Sequence, residues 1–392
     1  VKERHNSVHE PAFIAGGDLP IPTLCILRAD GELYEGAPEP ALQRELALRI
    51  YRTMLFTRVL DERMVSAQRQ GRLSFYLTCA GEEAAVVGSV AAFEPGDMIF
   101  GQYREQAALR FRGFTAGQFM AQLLSTRNDL GRGRQMPVHY GCRELNFMTI
   151  SSPLATQIPQ AAGYAYGQKL LALREGGLEH CSLCYYGEGA ASEGDFHAGM
   201  NMAAVLKCPV VFVCRNNGYA ISTPTSEQFA GDGIASRGVG YGIRTIRVDG
   251  NDLLAVYAAS VEARRIAVGE CEPVLIEAMS YRLGAHSTSD DPSGYRNREE
   301  EDRWRALDPV VRMKNWLLRR QWWSEREEKR ALEEYRAEVL AALRAEERVP
   351  PPPLAALIED VYDEPPWHLR EQYQALAEHL QKYPERRPGG GA

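Results

Sequence analysis

Residues 180–222 read HCSLCYYGEGAASEGDFHAGMNMAAVLKCPVVFVCRNNGYAIS. Two apolar runs, "CSLCYY" (181–186) and "PVVFVCRNN" (209–217), flank a glycine-rich turn and the helical segment "FHAGMNMAAVLK" (196–207). Strands that are apolar throughout, without alternation, suit a parallel sheet covered on both faces. Strand, turn, helix, strand is a βαβ crossover, which is right-handed. The same alternation continues outward. "IRTIRVD" (243–249), "DLLAVYAASVEARRIAVG" (252–269) and "PVLIEAMSY" (273–281) read as strand, helix, strand. Upstream, 39–71 and 81–93 read as helices and 97–105 as a short strand running into a loop. The expected fold is α/β, a doubly wound, mainly parallel sheet.

Outside the α/β domain (39–298), the chain changes character. Residues 1–38 are rich in Gly and Pro and read as an extended arm over the core or a partner. Residues 299–347 are charged and helical, expected to be a pair of solvated surface helices. "PPPP" (350–353) is a stiff linker before a small helical element, 354–383. Gly163 and Gly167 share one face of the helix after Pro153 and would let another helix pack closely.

A chain of 392 residues with 45% hydrophobic residues can bury a large core, and its net charge of −7 argues against nucleic-acid binding. No apolar run is long enough to span a membrane. The eight cysteines include one close pair, Cys181 and Cys184, inside an apolar strand, so they read as buried thiols in a reducing compartment.

The glycine turn holds a puzzle. It ends a strand and opens a helix, where an anion is favoured, yet Glu188 lies between Gly187 and Gly189. The spacing fits neither a dinucleotide fingerprint nor a P-loop. The neighbouring strand ends in Asn216-Asn217, and in a βαβ unit Glu188 and Asn217 reach the same sheet edge. A carboxylate, an amide oxygen and a nearby carbonyl are hard oxygen donors that suit magnesium or calcium held with phosphate. Glu193 reads as a helix-start acid.

Gly-acid-Gly followed by Asn-Asn resembles the thiamine diphosphate motif. With "FGQYRE" (100–105), "MPVHYG" (136–141), "ISSPLATQIPQAAG" (150–163), "CRNNGYAISTPTSEQ" (214–228) and "YRLGAHSTSDDPSGYR" (281–296), the chain over 40–370 is similar to the α subunits of branched-chain 2-oxo acid dehydrogenases. The resemblance implies thiamine diphosphate with magnesium on Glu188, Asn217 and the Tyr219 carbonyl. Tyr103, Arg104 and Arg215 would hold the diphosphate with the turn Gly187, Gly189 and Ala190. Ser152, Leu154 and Ile221 would flank the cofactor. Ser151, Pro153, Thr156 and Gln157 match a potassium turn. His286 matches the active-site histidine, expected as a donor or acid in acyl transfer. His139 is a further candidate near the substrate, and Tyr281 and Arg282 would order the His286 loop.

The resemblance also implies partners: a β subunit in an α2β2 heterotetramer, a lipoyl-bearing acyltransferase and a small 2-oxo acid. The chain alone is expected to be inactive. A pyruvate dehydrogenase α subunit is the near alternative, but its motif carries Asp where Glu188 stands. Rivals of other kinds are a non-catalytic assembly subunit and an NAD-dependent dehydrogenase. Ser287 matches a phosphorylated serine of mitochondrial members, while Asn297 stands where a second such serine occurs. That points to bacterial cytoplasm, or to the mitochondrial matrix if a transit peptide was removed.

Overall fold

The computed structural model describes residues 20–386. In chain order the elements are β1 (Thr23–Leu24), α1 (Arg44–Arg69), α2 (Glu83–Val90), β2 (Met98–Phe100), α3 (Gln106–Arg112) and α4 (Ala116–Leu123). There follow β3 (Phe147–Met148), α5 (Gln157–Glu175), β4 (Ser182–Gly187), α6 (Gly194–Leu206), β5 (Val210–Asn216), β6 (Tyr219–Ala220) and β7 (Thr223–Pro224). The remainder are α7 (Thr225–Gln228), α8 (Ala235–Gly240), β8 (Arg244–Asp249), α9 (Leu253–Gly269), β9 (Val274–Met279), α10 (Arg298–Arg305), α11 (Pro309–Arg319), α12 (Glu325–Glu346) and α13 (Trp367–Lys382).

Seven strands form one sheet in the order β1-β8-β9-β5-β4-β2-β3, with every neighbouring pair parallel. Successive strand residues face opposite sides, and both sides are covered. Leu183, Tyr185, Val211 and Val213 enter a core shared with α1, α2 and α9. Cys184, Tyr186, Phe212 and Cys214 enter a second core with α5 and α6. That double burial explains why both strands are apolar throughout. Cys181 and Cys184 lie in different cores, and burial pushes both thiols well above their ordinary range.

Three expectations need correction. The described part of the arm is not merely extended over a surface: β1 joins the sheet beside β8, Thr23 opposite Arg247. Asp252, the cap of α9, accepts from Ile26 N and Leu27 N at 2.6 Å each and ties the arm down. Residues 1–19 lie outside the described residues. The charged region is not a pair of solvated helices. It forms three, and Met313, Trp316, Leu317, Val339 and Leu343 of α11 and α12 are buried in the same core as the sheet. Gly163 and Gly167 pack against no helix among the described residues, since a Cβ at either would meet nothing within 4 Å.

Candidate active site

The carboxyl ends of β4, β5 and β9 open onto a cavity of about 390 Å³. Open α/β sheets bind ligands at this edge. Its lining brings together Tyr103, Arg104, Leu154, Gly187, Glu188, Gly189, Ala190, Arg215, Asn217, Tyr219, Ile221 and His286. Gly187 ends β4 and Arg215 lies opposite it on β5. Of the turn's glycines, Gly189 is required by close approach: a Cβ there would lie 2.7 Å from Ala220 Cβ. The Gly189 and Ala190 amides head the short turn Ala190–Ser192, whose leading N–H groups have no partner within the turn.

Glu188 is buried, and its Oε2 accepts from Asn217 N at 3.2 Å while Oε1 has no partner. Burial raises its pKa to about 7. A buried carboxylate oxygen with no donor is costly, and a cation is the group that would satisfy it. Asn217 Oδ1, which accepts from Tyr219 N at 3.2 Å, and the Tyr219 carbonyl stand on the same loop. Among the described residues no three His, Cys, Asp or Glu side chains gather as a metal cluster. A divalent ion here would therefore draw on one carboxylate, an amide, a carbonyl and the ligand's own oxygens. That mixed oxygen set suits magnesium held with phosphate.

Arg215 is buried between two carboxylates, 2.9 Å from Glu82 Oε2 and 2.6 Å from Glu105 Oε1. Glu105 Oε2 accepts from the backbone N–H of Gln102, Tyr103 and Arg104 at 2.8, 2.9 and 3.0 Å. It thereby fixes the loop that carries two candidate diphosphate contacts. Gln102 closes the ring, its Oε1 accepting from Gly187 N at 2.8 Å.

His286 Nδ1 faces Arg104 Nη2 at 3.2 Å and Arg282 Nη1 at 3.4 Å. Guanidinium groups only donate, so Nδ1 accepts and the ring proton sits on Nε2. Burial first, then the charges of Arg104 and Arg282, lower the ring's pKa to about 4. At neutral pH His286 is an uncharged Nε2–H donor, which narrows the expectation of a donor or acid. The His286 backbone N–H donates to Asp290 Oδ2 at 2.6 Å, and that oxygen also accepts from Tyr295 Oη. Arg282 further donates to the Ile221 carbonyl at 3.0 Å. Ile221 has φ of 57°, a left-handed conformation that is strained for a β-branched residue.

Ser152 does not line this cavity. Its Oγ lies 2.7 Å from His139 Nε2, in adjoining pockets. His139 Nδ1 donates to the Pro137 carbonyl at 3.1 Å. At the expected potassium turn, Thr156 Oγ1 lies 2.8 Å from Ser151 Oγ and 2.9 Å from the Pro153 carbonyl, an all-oxygen group. Gln157 uses its amide nitrogen on the Tyr185 carbonyl at 3.0 Å. Glu193 caps α6 by position without a side-chain bond to it, and lies on the cavity rim.

The family model described as "Dehydrogenase E1 component" matches residues 51–355. The chain belongs to that family. It is 51% identical over 380 residues to the human 2-oxoisovalerate dehydrogenase subunit alpha, mitochondrial, covering 97% of this chain and 83% of that one. The Dictyostelium discoideum protein of the same name is 49% identical over 370 residues, 94% and 83% of the two chains. Arabidopsis thaliana subunit alpha 1 is 48% identical over 371 residues, covering 94% and 78%. The resemblance noted from motifs alone thus runs through nearly the whole E1 chain.

The acids that organise this cavity carry no motif that marks them in the sequence. Glu82, Glu105 and Asp290 touch Arg215, the Tyr103 loop and the His286 loop. A signal for Glu82 exists: "GEEAAVVG" puts two adjacent acids at the start of an apolar helix, and both are fully buried. Buried carboxylates need partners, and Arg215 and Arg58 supply them for Glu82 and Glu83.

Proposed function

We propose that this E1 chain is the α subunit of a branched-chain 2-oxo acid dehydrogenase decarboxylating component. The observation that carries the reading is one cavity holding an unpartnered buried Glu188 oxygen, the Arg104–Arg215 pair and the His286 donor, in a chain of this family. Arg215, Arg104 and Tyr103 bind the diphosphate of thiamine diphosphate, with the Gly189 and Ala190 amides at the turn after Gly187. Glu188, Asn217 Oδ1 and the Tyr219 carbonyl hold magnesium. Leu154 and Ile221 flank the cofactor. Thiamine diphosphate, when bound, supplies the electron sink for decarboxylation that no side chain offers. His286, its Nδ1 held by Arg104 and Arg282, would offer its Nε2 proton as a hydrogen-bond donor to a 2-oxo acid substrate in the cavity. Ser151, Pro153, Thr156 and Gln157 hold potassium and stiffen the start of α5.

The β subunit packs on the outer face of α5 and α6. Leu170, Leu171, Leu173, Met202 and Val205 are exposed there, Gly163 and Gly167 leave room for a close neighbour, and contiguous exposed apolar surface marks an interface. Two chains of each kind form an α2β2 assembly.

Two observations support branched-chain acids over pyruvate: Glu188 in place of Asp, and the 2-oxoisovalerate name shared by the relatives. Those relatives are mitochondrial, which gives the bacterial expectation no support and is consistent with the mitochondrial alternative. No helix of the described residues is long and apolar enough to cross a membrane. The test is turnover with a lipoyl acceptor. The chain alone should be inactive, and the assembly with its β subunit should prefer 3-methyl-2-oxobutanoate to pyruvate. Equal or greater turnover of pyruvate, or turnover by the chain alone, would overturn the reading.

A further inference from the structure

Glu82 is fully buried and has no role in the chemistry above. Its two oxygens are both used as acceptors. Oε2 accepts from Arg215 Nη1 at 2.9 Å, and Oε1 accepts from Asn217 Nδ2 at 3.0 Å. Arg104 Nε stands 4.0 Å from Oε2. One carboxylate on α2's cap position thus reaches two candidate diphosphate cations and a candidate metal ligand.

We infer that Glu82 is a positioning residue that fixes which end of the Asn217 amide faces the metal. The inference rests on the metal assignment proposed above. An amide side chain has a donor end and an acceptor end. Glu82 can only accept, so it captures the Nδ2 end. Oδ1 is left on the opposite side, beside Tyr219 N, where an oxygen donor serves a hard cation and an NH2 group would repel it. The same carboxylate balances the charge of Arg215 and Arg104, so that these cations stand close together before an anion arrives.

Glu82→Gln isolates this role because Gln has one accepting and one donating end. With the oxygen towards Arg215, the stronger charge-assisted bond, the Gln NH2 faces Asn217 and turns its amide over. The Asn217 NH2 then points at the metal. Adding Asn217→Asp to that background restores the pattern, since the carboxylate introduced there accepts from the Gln NH2 and keeps an oxygen for the cation. In the wild-type background Asn217→Asp sets two carboxylates against each other.

The experiment uses the assembled α and β chains with thiamine diphosphate, and measures Mn2+ affinity from the electron paramagnetic resonance signal of the free ion. Partners that orient metal ligands cost about 10–100-fold in affinity when removed, so E82Q should bind Mn2+ at least about tenfold more weakly. N217D alone should also weaken it, and E82Q with N217D should recover most of the loss. Glu83→Gln serves as the control. That neighbouring buried acid bonds Arg58 and the Gly81 amide instead, so its loss should lower stability and leave Mn2+ affinity unchanged. The inference is overturned if folded E82Q binds Mn2+ within about twofold of wild type, or if the double variant recovers nothing. If E82Q does not fold, the double variant decides: folded and binding supports the inference, unfolded overturns it. Wild type failing to bind Mn2+ would instead overturn the metal assignment beneath it.

Discussion

Replacing Arg282 by Gln should raise the proton affinity of His286 without removing a group assigned to the diphosphate. Arg282 Nη1 is 3.4 Å from His286 Nδ1. Unit charges about 4 Å apart interact by about 1 kcal/mol in water and about 4 kcal/mol at an effective dielectric of about 20. The ring is only half-buried and opens onto the cavity, so solvent screening moves the value to the lower part of that range. A loss of about 1–2 kcal/mol corresponds to about one pKa unit. The ring, lowered to about 4 in the native chain, should titrate about one unit higher in Arg282→Gln. It should stay below the ordinary histidine value, because burial and Arg104 remain. The direction also fixes the effect on stability. A lowered histidine contributes stability that is present above its unfolded pKa and is lost as pH falls through the folded one. That loss should therefore run from about pH 6.5 down to about pH 4, and R282Q should narrow the window from its acid side. Ring resonances followed by NMR against pH, with the peak assigned by its absence in His286→Asn, measure it. A shift smaller than about 0.3 unit, or a downward one, would refute the two-cation account.

Two further expectations follow from packing. Gly189→Ala puts a Cβ 2.7 Å from Ala220 Cβ, and overpacking of this kind costs about 1–3 kcal/mol. Urea unfolding should show that loss, and a change below about 0.5 kcal/mol would mean the β6–β7 hairpin is free to give way. Gly163→Leu and Gly167→Leu meet open space in this chain, so the isolated chain should fold with native stability while its assembly with the β subunit fails. Normal assembly by light scattering would place the partner elsewhere.

The sheet was legible because its strands leave a simple trace. β4 and β5 are buried on both faces, and only an unbroken apolar run satisfies both cores. Glu188 and Asn217 were legible for a related reason: a polar residue that ends such a run must lie at the sheet edge. What could not be read was the pairing of buried charge. Arg215 is a candidate phosphate ligand in sequence, but that two acids grip it depends on helices α2 and α3 folding back across the strand ends. The helices α11 and α12 misled for another reason. Arg312 is buried against Asp249 and the arm, and a charged composition says nothing about which charges are paired inside. The Gly163–Gly167 face reads as a helix-packing surface in sequence, yet no described residue comes within 4 Å of a Cβ at either position.

The central claim is that this cavity holds a metal-bound thiamine diphosphate anchored by Glu188. The direct measurement is calorimetric titration of thiamine diphosphate into the assembled α and β chains with and without magnesium, for wild type and for Glu188→Ala. The account predicts one site per α chain in the wild type, dependent on magnesium, and loss of that magnesium-dependent binding in the variant while the assembly stays intact. Binding that is indifferent to magnesium, or unchanged in Glu188→Ala, would contradict it.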